Sequence, residues 1–146
     1  MRVEWMKPGD EQRVLAAADL FDHPPDEQTT RAYLADERNY LVLAFSDDGT
    51  ATGFVRGTAL GRLEGPERQM LLYEIGVDPE YQRQGIGTAL IRALERICRE
   101  QGFGEMFVFT NRSHTAAMRL YASTGGHTES DDEQMFVWTY AEGFEA

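Results

Sequence analysis

The chain has 146 residues, with 42% hydrophobic and 27% charged positions, the balance of an ordinary globular domain with enough length for a real core. Its formal net charge of −11 argues against nucleic acid as the main partner, because phosphate binding needs clustered Lys and Arg. Its one cysteine, Cys98, excludes an internal disulfide. No apolar run reaches the roughly 18–20 residues needed to span a bilayer. Met1–Trp5 does not read as a signal peptide, so a cytoplasmic protein without a membrane partner is expected. The three histidines are scattered, and no Cys/His cluster has the spacing of metal ligands. One domain over residues 1–146 is expected, with no linker or internal repeat.

Residues 1–6 alternate, with Val3 and Trp5 on one side, and read as a first strand. Pro8-Gly9-Asp10 is a turn. Asp10 can cap a helix over Glu11–Phe21 whose apolar face is Val14, Leu15, Ala18 and Phe21. His23-Pro24-Pro25-Asp26 breaks that helix. A shorter helix, Arg31–Asp36, then starts at Thr29 or Thr30. Asn39–Phe45 and Thr50–Leu60 read as strands joined by the hairpin signal Ser46-Asp47-Asp48-Gly49. A polar loop follows, and then the apolar run Leu71–Val77. Three successive strands on short loops predict an antiparallel meander.

The chemistry concentrates after that third strand. Asp78-Pro79 ends it, since Pro cannot extend a ladder. Then come Gln82-Arg83-Gln84-Gly85-Ile86-Gly87-Thr88 and a helix to Gln101, with Ile86, Leu90, Ala93, Leu94 and Ile97 on one face. Gly102 stops it. A helix start has unpartnered N–H groups and a partial positive charge, so it suits an anion. Gly85 and Gly87 let that anion approach the backbone, and Arg83 adds a cation. A plain tight turn is the competing reading. The Lys-Ser/Thr of a nucleotide-hydrolase loop and the third glycine of a dinucleotide fold are both missing.

Glu105–Thr110 is a continuous apolar strand. It follows a strand and a helix, so it should lie parallel to Leu71–Val77. A helix over Ser113–Thr124 ends at Gly125-Gly126. His127–Ser130 and Gln134–Tyr140 read as a last hairpin.

Gln82-x-x-Gly85-x-Gly87 between strand and helix resembles the acyl-CoA motif of the GNAT (Gcn5-related N-acetyltransferase) superfamily, and the predicted element order is similar to that fold along nearly the whole chain. The resemblance implies a mixed α/β (α+β) fold: a mostly antiparallel sheet with a splayed parallel strand pair and flanking helices. It also implies acetyl-CoA as cosubstrate and no metal. The pyrophosphate would lie on Gln82, Arg83, Gln84, Gly85, Ile86, Gly87 and Thr88. The pantetheine arm would lie on the backbone of Ile75, Gly76 and Val77, near Ala117. Family members often place Asn three residues before that Ala. Here the position holds His114, with Asn111 three residues earlier.

The resemblance makes Tyr121 the candidate acid for the departing thiolate; packing in the core is its other reading. Glu74, the only acid within Leu71–Val77, is the candidate base, because a charge inside an apolar strand needs a reason. Pairing at an edge would be another. Asp22, Asp132 and Glu133 are candidate contacts for a cationic acceptor, though Asp132-Glu133 also reads as the turn of the last hairpin.

Asp19-Leu20-Phe21, Tyr73–Val77, Arg83–Ile91 and Leu120-Tyr121 are similar to the small GNAT-type aminoglycoside 3-N-acetyltransferases. That implies transfer of acetyl to a primary amine of a small cationic substrate, and a homodimer. The same chemistry on a polyamine, amino acid or protein amine is the alternative. A non-catalytic acyl-CoA-binding domain is the second alternative.

Overall fold

The computed structural model describes residues 1–144. A five-stranded sheet runs in sequence order, β1 (Arg2–Trp5), β2 (Asn39–Phe45), β3 (Ala51–Leu60), β4 (Gln69–Val77) and β5 (Glu105–Phe107). The first four strands pair antiparallel, and β5 pairs parallel to β4. Helix α3 (Ile86–Glu100) is the crossover between the parallel pair, and α4 (Thr115–Ser123) follows β5. This is the mixed sheet that the strand and helix order implied.

The sheet separates two apolar clusters. On one face Tyr40, Val42, Ala44, Val55, Met70 and Leu72 pack with Leu90, Ile91, Leu94 and Ile97 of α3. On the other, Leu41, Leu43, Phe45 and Phe54 pack with Val14 of α1 (Glu11–Ala16) and Leu34 of α2 (Glu27–Ala35). Strand β2 feeds both clusters on alternate residues, which is why it reads as an unbroken apolar run. Glycines in β3 and β4 allow close packing: a Cβ at Gly53 would lie 2.9 Å from the Gly76 carbonyl oxygen, and one at Gly76 would lie 2.8 Å from the Phe54 ring.

Several boundaries differ from expectation. The helix expected over Glu11–Phe21 stops at Ala16, and a 3-10 turn, Ala18–Leu20, follows. Phe21 is then extended and lies against Phe54 at 4.6 Å between ring centroids. Seating that ring in the core outweighs one more helical turn. Asp10 stands before α1 but does not cap it; its carboxylate accepts from the Lys7 N–H at 2.9 Å. Helix α2 begins earlier than expected, because Asp26 caps it by accepting from the Thr29 N–H at 2.7 Å.

The largest departure is at the C-terminal end. Among the described residues no strand follows β5, so the expected hairpin is not formed. Met135, Phe136, Val137, Trp138 and Tyr140 are 71–91% exposed. Alternation supplied the strand pattern, but a strand exists only where a neighbour takes its hydrogen bonds.

Candidate active site

A break in register turns Glu74 towards a cavity. Along β3 and β4, Arg56 faces Glu74 while the next residue, Gly57, faces Leu72. Tyr73 is therefore the extra residue of a β-bulge. Before the bulge, Met70 and Leu72 belong to the α3 side. After it, Ile75 and Val77 pack on that same side. Strict alternation from Leu72 would send Glu74 into the α3 core. The bulge shifts the phase, and Glu74 instead lines a cavity of about 780 Å³ on the α1–α2 side.

Most of the walls of that cavity come from three regions, with Val14 of α1 behind them. The broken segment after α1 gives Phe21, Asp22, His23, Pro24, Pro25 and Asp26. Helix α2 gives Thr29, Thr30, Tyr33 and Leu34. The sheet gives Leu41, Arg56, Tyr73 and Glu74, and Phe144 stands at the edge. Arg56 Nε donates to Glu74 Oε1 at 2.8 Å, and its guanidinium lies 4.6 Å from the Tyr73 ring centroid. Burial raises the Tyr33 hydroxyl pKa, and the nearby Arg56 works against that rise. Arg56, Tyr33 and Tyr73 were not singled out from sequence. The signal for Arg56 was present: it is the only charge in Ala51–Leu60, just as Glu74 is the only one in Gln69–Val77.

The second part of the site is the parting of β4 from β5. Pairing covers only Gln69–Leu71 with Glu105–Phe107. Beyond Leu71 the β4 edge continues to Val77 with no strand on the β5 side among the described residues. Ile75, Gly76 and Val77 thus lie on an open edge, as an extended ligand arm requires.

The loop before α3 adjoins the end of β4. The Gln82 side-chain amide donates to the Val77 carbonyl at 3.4 Å. Arg83 and Gly85 both have left-handed backbones, φ 63° and 79°. Arg83 is the only non-glycine residue with positive φ among the described residues, and such a strained conformation persists where the surroundings demand it. Consecutive turns of this kind gather N–H groups into an anion-binding concavity. The first turn of α3 contains no acidic residue, although the chain is strongly acidic overall. An open strand edge beside a loop of this kind can receive a ligand with an extended arm and an anionic end. Gly87 has a further role: a Cβ there would lie 3.1 Å from Leu120 Cδ2, so its bareness lets α4 approach α3.

Tyr121 comes from that same α4. It is half-buried against the α3-side cluster, and burial raises its hydroxyl pKa. The hydroxyl therefore keeps its proton at neutral pH and can act as a donor. Ala117 is buried on the same helix. His114 occupies the position before α4, and its N–H donates to the Asn111 carbonyl at 2.9 Å. Glu74 and Tyr121 thus belong to opposite faces of the sheet, and the parted strands lie between those faces.

Of the expected acceptor contacts, Asp22 lines the cavity. Asp132 and Glu133 lie on the exposed C-terminal segment and are not among its lining residues. Cys98 is buried, and its thiol pKa is pushed up to about 11, mainly by burial. It is a packing residue rather than a nucleophile. The described residues contain no group of His, Cys, Asp or Glu that could hold a metal ion.

Residues 9–125 match the family model described as Acetyltransferase (GNAT) family. Human N-acetyltransferase 8 is 31% identical over 96 residues, covering 66% of this chain and 42% of that protein. The N-alpha-acetyltransferase RimI of Mycobacterium tuberculosis is 36% identical over 110 residues, covering 74% of this chain and 66% of that protein. The chain thus spans less than half of the first relative and about two thirds of the second. Among solved structures, the aminoglycoside acetyltransferase meta-AAC0020 from an uncultured soil metagenomic sample, in complex with trehalose, superposes with a TM-score of 0.82. It is 25% identical, with 96% of this chain and 95% of that chain covered.

Proposed function

Because this chain belongs to the GNAT acetyltransferase family, whose members use acetyl-CoA, we propose that it transfers an acetyl group to a primary amine of a small cationic acceptor, an aminoglycoside at its 3-amino position. The observation that carries this reading is the cavity into which the β4 bulge turns Glu74, beside the parted edge of the same strand. Asp22 adds negative charge to its wall. A polyamino sugar presents several ammonium groups, and an acidic cavity attracts them. The similarity to meta-AAC0020 supports the same substrate class.

The chemistry assigns distinct tasks to the two sides. When bound, acetyl-CoA supplies the acetyl thioester. Gln82–Thr88 hold its phosphates, and Ile75–Val77 hold its arm by backbone hydrogen bonds. A backbone N–H at or beside Val77 polarises the thioester carbonyl, as an oxyanion donor does. Glu74 takes a proton from the acceptor ammonium, directly or through water, so that a lone pair can attack. A C–N bond forms and the C–S bond breaks. The Tyr121 hydroxyl gives its proton to the leaving sulfur, the second proton shed by the nitrogen restores that hydroxyl, and Glu74 releases the first to water. The products are an amide, the coenzyme thiol and one proton.

A second reading places a peptide α-amine in the same cavity. The 36% identity to RimI over 74% of this chain favours it. Thiol release from acetyl-CoA separates the two. The panel is gentamicin, kanamycin, spermidine, lysine and a peptide beginning with alanine. Turnover of gentamicin, with the 3-amino group acetylated, supports the first reading. Turnover of the peptide alone replaces it with the second. No release with any amine, with coenzyme A still raising Tm, points to a binding domain.

A further inference from the structure

Arg56 is unexpected in this cavity. A site for a cationic acceptor should be lined by acids, yet it contains a guanidinium bonded to the candidate base. A stabilising role explains little. Both side chains of the pair are about one third exposed, at 34% and 33%, and ion pairs this open to water add little stability. The side chain is also fixed by more than Glu74. Its Nε faces the carboxylate, its guanidinium lies over the Tyr73 ring, and the Tyr33 hydroxyl of α2 is close enough to feel its charge. Those contacts come from β4 and α2, and all four side chains line the cavity. The bulge makes this arrangement, because Arg56 lies opposite Glu74 at the point where the register shifts.

We propose that Arg56 is a positioning residue: it holds the Glu74 carboxylate by Oε1 and so presents the other oxygen, Oε2, to the acceptor amine. The inference rests on the acetyl-transfer reading of the cavity and adds to it the residue that orients the base. A Glu side chain has three rotatable bonds, and a free carboxylate samples many orientations. A fork anchored on a Tyr face restricts it to a few. Lysine keeps the charge but loses the planar guanidinium and its fixed fork, so it replaces Arg56 only in part.

The test compares kcat and both KM values, on whichever amine the panel shows to be turned over, for the wild type, Arg56→Met, Arg56→Lys, Glu74→Gln and the Arg56→Met/Glu74→Gln double variant. Arg31→Gln, which breaks an exposed pair with Glu27 on α2, is the control for loss of any surface ion pair. The expected result is a kcat about 10–100-fold lower in Arg56→Met and an intermediate kcat in Arg56→Lys. KM for acetyl-CoA should be unchanged and Tm close to the wild type. The double variant should be no slower than Glu74→Gln alone, because Arg56 acts through Glu74. An unchanged kcat in Arg56→Met overturns the proposal, and so do losses that multiply in the double variant. A wild type that turns over no amine sinks the acetyl-transfer reading and this proposal together. Wild-type turnover with an indifferent Arg56 sinks this proposal alone.

Discussion

Arg56 of β3 and Glu74 of β4 face each other across a bulge, with Nε 2.8 Å from Oε1. The pair lies on the floor of the cavity, and the residue after Glu74 returns to the α3 core. One extra residue in β4 thus places a carboxylate at a cleft without interrupting the packing on the other face.

Glu74→Gln should lower kcat by about 100–10,000-fold if the carboxylate takes the amine proton. Its effect on stability should be under about 1 kcal/mol, because the partner is part-exposed and keeps access to water. Steady-state kinetics and a melting curve on the same sample check both. A large loss of Tm with intact kcat would make Glu74 a structural residue.

Tyr121→Phe should slow turnover about 10–1,000-fold, at or below the usual range for a general acid, because a thiolate is already a fair leaving group. Burial raises the hydroxyl pKa above its ordinary value, so its ionisation should produce no alkaline fall in rate below about pH 10. A pH–rate profile from 6 to 10 in wild type and variant tests this. A shared alkaline fall would come from another group.

Gly87→Ala should separate α3 from α4. The added methyl meets Leu120 Cδ2 at 3.1 Å, tighter than ordinary contact, and Leu120 adjoins Tyr121. We expect Tm to fall by several degrees, for a cost of about 1–2 kcal/mol from overpacking. kcat should fall too, as Tyr121 moves with its helix. Gly85→Ala is a useful contrast, because there the difficulty is the left-handed backbone at φ 79° and not lack of space.

Two exposed turn carboxylates should contribute to acid sensitivity. The Arg38 side chain and N–H hold Asp36 at about 2. The Ser46 hydroxyl and the Thr50 N–H hold Asp48 at about 2. Both values lie below the ordinary Asp pKa near 3.9. The unfolded chain therefore binds protons first as pH falls, and the stability these groups add is present above about pH 4 and lost as pH falls through about 2. Asp36→Asn with Asp48→Asn should flatten the fall in Tm between those limits. An unchanged slope would assign it to other carboxylates.

The Cys98 thiol, at about 11, is almost wholly protonated at pH 8. Iodoacetamide should label it slowly in the folded protein and quickly in urea, as read by intact mass. Cys98→Ala should keep its activity. Fast labelling of the native state would contradict the burial seen here.

The sequence by itself determined the elements whose pattern is local. The meander Asn39–Val77, the helix from Ile86 and the parallel strand at Glu105 follow from periodicity, turn residues and the short reach of loops. Glu74 and Gly85 were legible because each breaks a local rule: a charge in an apolar run, and a glycine where a helix begins. Asp22 was legible as charge on a Pro-interrupted loop. Tertiary structure decided the rest. Whether Glu74 faces the core or the cavity depends on a bulge, and a bulge is a property of two strands in register, not of one. Arg56 acquires its meaning only from the residue opposite it. The 134–140 segment has a strand's alternation, but among the described residues no strand pairs with it. Periodicity is encoded along the chain; hydrogen-bond partners, and hence register and facing, are supplied by residues distant in it.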